Sequence, residues 1–141
     1  MKILIPVDGS PSTKRMLAYL TTHEEWLGVG HAWTLLHVVP AVPSRAAAVL
    51  DKDILKGYYD DEADKVFKPI RAFLKRKPGL TVQFAHKAGH AAETVSQWAI
   101  KGEHDLIVMG SHGHGSLTNL VLGSVATKVL AQCKVPVLLV R

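Results

Sequence analysis

The residues best suited to chemistry lie between Val108 and Leu130, in the sequence VMGSHGHGSLTNLVLGSVATKVL. Glycines, serines and histidines are concentrated there, although each glycine inside a helix or strand costs about 0.5–1 kcal/mol relative to alanine. A phosphate group needs several converging backbone N–H donors, and glycine lets the backbone come close to it. We therefore predict that backbone amides of this segment hold the phosphates of a nucleotide.

The spacing of four residues makes this prediction more specific. Gly110 and Gly113 are separated by two residues, nine residues follow, and Ser124 comes directly after Gly123. Gly123 and Ser124 stand where the next helix can begin, and a helix N-terminus adds unpaired donors and a positive dipole end. The Ser124 hydroxyl can cap that helix or approach a phosphate or a metal ion. A glycine-rich turn without a ligand is the alternative interpretation.

Other site chemistries match the sequence less well. It has no G-x-x-x-x-G-K-[ST], and DGSPST replaces G-x-G-x-x-G after the first predicted strand, which disfavours P-loop and dinucleotide-binding folds. Asp8 stands alone, whereas a phosphoryl-accepting receiver needs an acidic cluster. His112 and His114 have no nearby cysteine or carboxylate cluster, which makes them weak evidence for a metal site. Since no nucleophile dyad or paired carboxylates accompany the segment, we predict binding, with at most slow hydrolysis.

The elements that position these residues follow from hydrophobic periodicity. Apolar runs predict strands and three- to four-residue spacing predicts helices. We predict strands over 2–7, 31–39, 80–88, 105–110 and 135–141. We predict helices over about 11–26 and 51–77, a third that begins at Gly89 and a fourth that ends at about 132, with a loop over 41–50. This alternation predicts an α/β fold, a doubly wound five-stranded parallel sheet in the order 3-2-1-4-5 with helices on both faces.

The predicted topology brings two parts of the sequence together. In doubly wound sheets, ligands bind beyond the carboxyl ends of the strands, where the strand order reverses. With the order 3-2-1-4-5, the first and fourth strands flank that point, and they end in Asp8-Gly9 and in Gly110. The topology and the glycine spacing therefore indicate the same site.

Composition limits the class of protein. The chain has 141 residues, a formal net charge of +5 and one cysteine, Cys133, which predicts a single domain over 1–141 without a disulfide framework. It has no apolar run of the roughly 20 residues that span a bilayer and no signal peptide pattern, so we expect a cytoplasmic protein without a membrane partner. The basic residues have no interleaved aromatic side chains, which argues against a nucleic-acid partner.

Over essentially its whole length, the chain resembles the universal stress protein family. The resemblance is carried by ILIPVDGS, LLHVV, AGHAAETVSQWA, DLIVMGSHGHG, LGSVATKVL and the closing VPVLLVR. Members of the nucleotide-binding branch carry G-x2-G-x9-G-[ST], which Gly110, Gly113, Gly123 and Ser124 match completely. The resemblance implies the adenine-nucleotide alpha-hydrolase-like fold, ATP as the ligand, Mg²⁺ carried by the phosphates, and a homodimer paired through VPVLLVR.

The same resemblance implies individual contacts with the nucleotide. Pro6, Val7 and Asp8 match the strand end that contacts adenosine, and Val38 matches a position that contacts adenine. The segment that contacts ribose and phosphates is matched by Met109, Gly110, Gly113, Gly123, Ser124 and Val125. His114 stands where many relatives have arginine, and histidine is a weaker, pH-dependent cation. For Asp8, a structural role in an Asx turn is the alternative to ligand contact.

Three functions remain open on the sequence alone. The first is an ATP-binding regulatory protein of the stress response, which the complete glycine motif favours. The second is a nucleotide-free dimeric interaction protein of the same fold, which the substitution at His114 favours. The third is an enzyme that acts on an adenylated substrate.

Overall fold

In the computed structural model, which describes residues 1–113 and 121–141, five parallel strands form one sheet. The strands are β1 (Lys2–Pro6), β2 (Ala32–Val39), β3 (Thr81–Ala88), β4 (Leu106–Gly110) and β5 (Val137–Val140). Their order is β3-β2-β1-β4-β5, and every neighbouring pair is parallel. The predicted α/β fold class and strand order are confirmed.

Six helices are present in the described part of the chain. They are α1 (Pro11–Thr22), α2 (Glu24–Leu27), α3 (Ser44–Val49), α4 (Lys52–Leu74), α5 (Ala91–Lys101) and α6 (Ser124–Gln132). None of these described helices combines the length and the apolarity that a membrane crossing requires.

Two hydrophobic cores lie on opposite faces of the sheet. On one face, α1 and α4 bury Met16, Leu20 and Phe67 against Ile3 and other strand residues. On the other face, α5 and α6 pack side chains such as Val95 and Val129 against the strands. Because side chains alternate along a strand, the near-continuous apolar runs of β1, β2 and β4 supply both cores. Helices therefore cover both faces, as predicted.

The strand order places the two predicted site segments side by side. β1 pairs with β2 on one side and with β4 on the other, so the direction of winding reverses between β1 and β4. The carboxyl ends of these strands lead into Asp8 and into Ser111. The sheet thus opens at its carboxyl edge between the two segments.

Several predicted element boundaries were wrong. The predicted loop over 41–50 contains α3, a short helix without a buried residue, which explains its lack of hydrophobic periodicity. The helix predicted to reach Trp26 is interrupted at His23, which separates α1 from α2. Pro69 lies inside α4, as the single helix predicted over 51–77 requires.

A buried histidine lies at the opposite, amino edge of the sheet. His104 precedes β4, is 8% exposed, and has its Nε2 atom 3.3 Å from Thr34 Oγ1. Burial, assisted by the charge of Lys2, holds the pKa of His104 below its ordinary value of 6.5. The unfolded chain therefore binds a proton at His104 more readily than the folded chain does.

We expect this histidine to make folding stability fall in mild acid. Above pH 6.5 both states leave His104 neutral, so the loss begins as pH falls through about 6.5 and grows until the folded state is protonated too. Urea unfolding measures the free energy of unfolding at pH 7 and at pH 5. The difference between the two values should be smaller in His104→Gln than in the wild type. The exposed His90 offers a control, because His90→Gln should keep the wild-type difference. An unchanged difference in His104→Gln would contradict this account.

Candidate functional site

A cavity of about 430 Å³ opens at the carboxyl ends of β1, β2 and β4. Three strand ends and the N-termini of α5 and α6 surround it. Its lining residues are Pro6, Val7, Asp8, Thr13, Leu36, His37, Val38, Ala91, Val95, Met109, Gly110, Ser111, His112, Gly113, Gly123, Ser124, Val125 and Ala126. Its volume is within the range of small-molecule sites, about 300–1,000 Å³.

Ten of the eleven residues predicted for nucleotide contact lie around this one cavity. They are Pro6, Val7, Asp8, Val38, Met109, Gly110, Gly113, Gly123, Ser124 and Val125. The eleventh, His114, lies outside the described residues. The fold brings the ten residues together from four separate stretches of the chain, and their contact with a nucleotide stays a prediction.

One wall of the cavity is apolar. Leu36, Val95 and Met109 belong to the core beneath α5 and α6, and Val38 and Val125 pack against that core. The cavity therefore lies where this core reaches the carboxyl edge of the sheet. A flat apolar group fits such a wall, because its burial there removes nonpolar surface from water.

Two hydrogen bonds hold the Asp8 carboxylate. The backbone N–H of Ser10 and the hydroxyl of Thr13 both donate to Asp8 Oδ1, each over 2.9 Å. The bond from Ser10 closes an Asx turn, so the structural role considered for Asp8 is present. Asp8 also lines the cavity, so the turn does not take its side chain away from the site.

The end of β1 is fixed from β2 as well. The Val7 N–H donates to Leu36 O over 2.9 Å, and His37 Nδ1 lies 2.8 Å from Val7 O. Since a carbonyl oxygen only accepts, His37 must donate through Nδ1. The two bonds continue the contact between β1 and β2 past Pro6, up to the residue before Asp8.

The three motif glycines are required for space and not for an unusual backbone conformation. Gly110, Gly113 and Gly123 all lie outside the positive φ region. A Cβ atom at Gly110 would overlap the Ser12 hydroxyl, and one at Gly113 would lie 2.9 Å from Asp8 Oδ2. At Gly123 it would lie 3.1 Å from the Ser111 carbonyl oxygen. Each glycine therefore allows two parts of the protein to approach closely.

The donors at the start of α6 differ from the prediction. Gly123, and not Ser124, is the N-cap, and no side chain among the described residues caps this helix. The Gly123 N–H already donates to Ser111 O over 2.6 Å. The first N–H groups of a helix have no acceptor within it, so Ser124, Val125 and Ala126 direct theirs outward. All three residues line the cavity.

Sequence reasoning missed several lining residues. Thr13 comes five residues after Asp8 in the first turn of α1, where a helix that starts at Ser10 returns a side chain to Asp8. Ala91 begins α5 at the same sheet edge as α6, because both helices follow parallel strands. The predicted topology contained both signals. His37 lies within β2, where its ring is hydrogen-bonded to Val7 O, and it also lines the cavity.

Metal-ligating side chains do not converge within the described ranges. No group of three or more histidine, cysteine, aspartate or glutamate residues there could hold a metal ion. Ser124 is a hydroxyl ligand of the kind that accompanies a phosphate-bound Mg²⁺. A metal ion would therefore need oxygen ligands from the phosphates themselves.

Sequence comparisons with known proteins all match the chain to one family. The sequence model for the universal stress protein family matches residues 1–141. A relative from Thermus aquaticus, named "Universal stress protein in QAH/OAS sulfhydrylase 3'region", is 34% identical over 141 residues, with 99% of this chain and 97% of the relative covered.

Solved structures share the fold. The structure of the hypothetical protein MJ0577 has a TM-score of 0.79 at 28% identity, with 99% of this chain and 94% of that chain covered. A universal stress protein from Archaeoglobus fulgidus in complex with dAMP has a TM-score of 0.69 at 20% identity, with 100% of this chain and 98% of that chain covered. A universal stress protein in complex with cAMP has a TM-score of 0.66 at 17% identity, with 100% of this chain and 96% of that chain covered.

Proposed function

Because the chain belongs to the universal stress protein family, we propose that it is a one-domain, ATP-binding regulatory module of the stress response in the cytoplasm. ATP would occupy the cavity at the carboxyl edge of the sheet. The observation that carries the proposal is the convergence of ten residues, selected by motif and resemblance alone, on one cavity of about 430 Å³.

The apolar lining of the cavity and Asp8 suit the adenosine part of a nucleotide. We assign adenine to the apolar wall, against Val38, Met109 and Val125. The Asp8 carboxylate would accept a hydrogen bond from the ribose or from adenine. Its negative charge would repel the phosphates unless a metal ion lay between them.

The phosphates would be held by the start of α6. The N–H groups of Ser124, Val125 and Ala126 point out of the helix, and the positive end of its dipole favours anions. The Ser124 hydroxyl adds a further donor, or a ligand for Mg²⁺ carried by the phosphates. Gly123 would contribute through its position and not through its N–H, which Ser111 O already accepts.

Two nucleotide complexes among the structural neighbours, with dAMP and with cAMP, support an adenine nucleotide as the ligand class. Their low identity to this chain makes the residues of the cavity the stronger argument. Within the described residues, the cavity combines one carboxylate, Asp8, with two histidines, His37 and His112. No second carboxylate, which a two-metal or acid–base hydrolysis would use, lines it in the part of the chain that the structure describes. We therefore propose binding as the main activity, with at most slow hydrolysis.

Isothermal titration tests the proposal. The purified chain, stripped of co-purified nucleotide, is titrated with ATP and Mg²⁺, then with AMP and with GTP. We expect saturable binding of ATP and weaker binding of GTP, because the apolar wall and Asp8 would recognise the adenosine part. Absence of heat and of a thermal shift at millimolar ATP would favour the nucleotide-free interaction protein. The close packing of the motif glycines against protein atoms is the observation on the side of that alternative.

We further propose that the chain forms a homodimer through β5. β5 lies at the edge of the sheet and carries the half-buried side chains Val137, Leu138 and Leu139. An edge strand can pair with its own copy about a twofold axis. Light scattering should give the mass of a dimer, and a monomer mass at high concentration would reject this part of the proposal.

A further inference from the structure

We infer that Thr13 is a positioning residue of this site: its hydroxyl fixes the Asp8 carboxylate in the orientation in which it meets the nucleotide. The inference rests on the proposed function, since it concerns how that same site recognises the sugar or the base. Neither the glycine motif nor the family resemblance singled out Thr13.

Two reciprocal hydrogen bonds join Thr13 to Asp8. The Thr13 hydroxyl donates to Asp8 Oδ1 over 2.9 Å, and it accepts from the Asp8 backbone N–H over 3.2 Å. One oxygen atom thus holds both the main chain and the side chain of Asp8. This double contact restricts rotation of the carboxylate about its side-chain bonds, which a single contact from Ser10 N–H would not do.

Thr13 is itself held rigidly. It is 4% exposed and lies in the first turn of α1, where its N–H donates to the Ser10 hydroxyl over 3.3 Å. Its β-branched side chain has few accessible rotamers. The orientation of Asp8 is therefore tied to a helix whose inner face is buried in the core.

The geometry has a consequence for recognition. With Ser10 N–H and the Thr13 hydroxyl both on Oδ1, the plane of the carboxylate is set and Oδ2 lies on the side of Gly113. A carboxylate only accepts hydrogen bonds, so a ligand group that contacts Asp8 must be a donor, such as a ribose hydroxyl or an exocyclic amine. Preorganising this acceptor reduces the entropy lost on binding.

Three variants test the inference by ATP titration. Thr13→Val keeps the size and branching of the side chain but removes the hydroxyl, and we expect it to bind ATP about tenfold more weakly, the effect of one hydrogen bond to a charged group. Thr13→Ser keeps the hydroxyl, and its affinity should stay within about threefold of the wild-type value. Thermal melting checks that each variant is folded at the temperature of titration.

Thr21→Val is the matched control. Thr21 lies in the same helix, is also 4% exposed, and donates its hydroxyl to Leu17 O over 2.9 Å, away from the cavity. This variant should bind ATP as the wild type does. Wild-type affinity in Thr13→Val overturns the inference, and so does equal weakening in Thr13→Ser, because a variant that keeps the hydroxyl would then behave like one that lacks it. If the wild type and Thr21→Val both fail to bind ATP, the proposed function itself is wrong.

Discussion

Gly113→Val is expected to weaken ATP binding by at least about 100-fold, which corresponds to roughly 2.7 kcal/mol. A Cβ atom at this position would lie 2.9 Å from Asp8 Oδ2, closer than real Cβ contacts. Relief by rotation of Asp8 is opposed by the two hydrogen bonds that hold Oδ1. The two additional methyl groups of valine would then displace either the carboxylate or the segment that leads into Gly113. Both belong to the wall of the cavity.

The measurement is a titration with ATP and Mg²⁺, accompanied by urea unfolding. Gly57→Val serves as the control, because no atom lies within 4 Å of an ideal Cβ at Gly57, inside α4. The control should keep both stability and affinity. If Gly113→Val is folded and binds ATP with wild-type affinity, Gly113 is not part of the nucleotide site.

Most of the fold could be predicted because its signals are local and redundant. The apolar runs of β1, β2 and β4 are too short for helices and too continuous for exposed strands, so they predict buried parallel strands. The connections are right-handed in parallel sheets, which leaves few strand orders. The observed order confirms the one that puts Asp8 beside Gly110.

The errors occurred where a local signal is weak or where tertiary contacts decide. α3 buries no residue, so its sequence has no hydrophobic periodicity from which a helix could be predicted. Tertiary contacts also explain why Pro69 does not interrupt the helix predicted over 51–77: the packing of Phe67 and Ile70 in the core outweighs the loss of one helical hydrogen bond. Propensity is a weak prior that such packing overrides.

The candidate site could be located from the sequence, but the structural role of each of its residues could not be predicted fully. Glycine spacing indicates that the backbone needs room, and it does not say whether a phosphate or another part of the protein fills that room. The side chains of Ser12 and Asp8 become neighbours of Gly110 and Gly113 only in three dimensions. Likewise, the capping role assigned to Ser124 belongs to Gly123, because the last bend before α6 brings Gly123 against Ser111.

A second prediction, at Gly110, tests whether a motif glycine makes room for the ligand or for another part of the protein. Side chains alternate along β4, so the direction of a Cβ at Gly110 is that of Val108, toward α1, and opposite to that of Met109 on the apolar wall. Gly110→Ala would overlap the hydroxyl of Ser12, which is 3% exposed. We expect it to lower the free energy of unfolding by about 1–3 kcal/mol, the usual cost of overpacking.

Ser12→Ala should suppress most of that loss. The Ser12 hydroxyl is buried and has no hydrogen-bond partner among the described residues, so the single substitution should be neutral or stabilising by up to about 1 kcal/mol. In the double variant, the new Cβ would still lie 3.2 Å from the Cβ of residue 12, which a small shift of α1 relieves. Urea unfolding of the four proteins should give a favourable coupling energy of about 1–2 kcal/mol.

ATP titration of the same four proteins then separates the two interpretations of the glycine motif. Since a Cβ at Gly110 points to α1 and away from the apolar wall, we expect the double variant to regain wild-type affinity to within about threefold. Gly113→Val should have no such rescue at Ser12, because its conflict is with Asp8 in the wall of the cavity. Restored stability without restored affinity at Gly110 would instead assign that glycine to the ligand. The motif would then combine one glycine required by helix packing with others required by the nucleotide, a division that its spacing alone does not express.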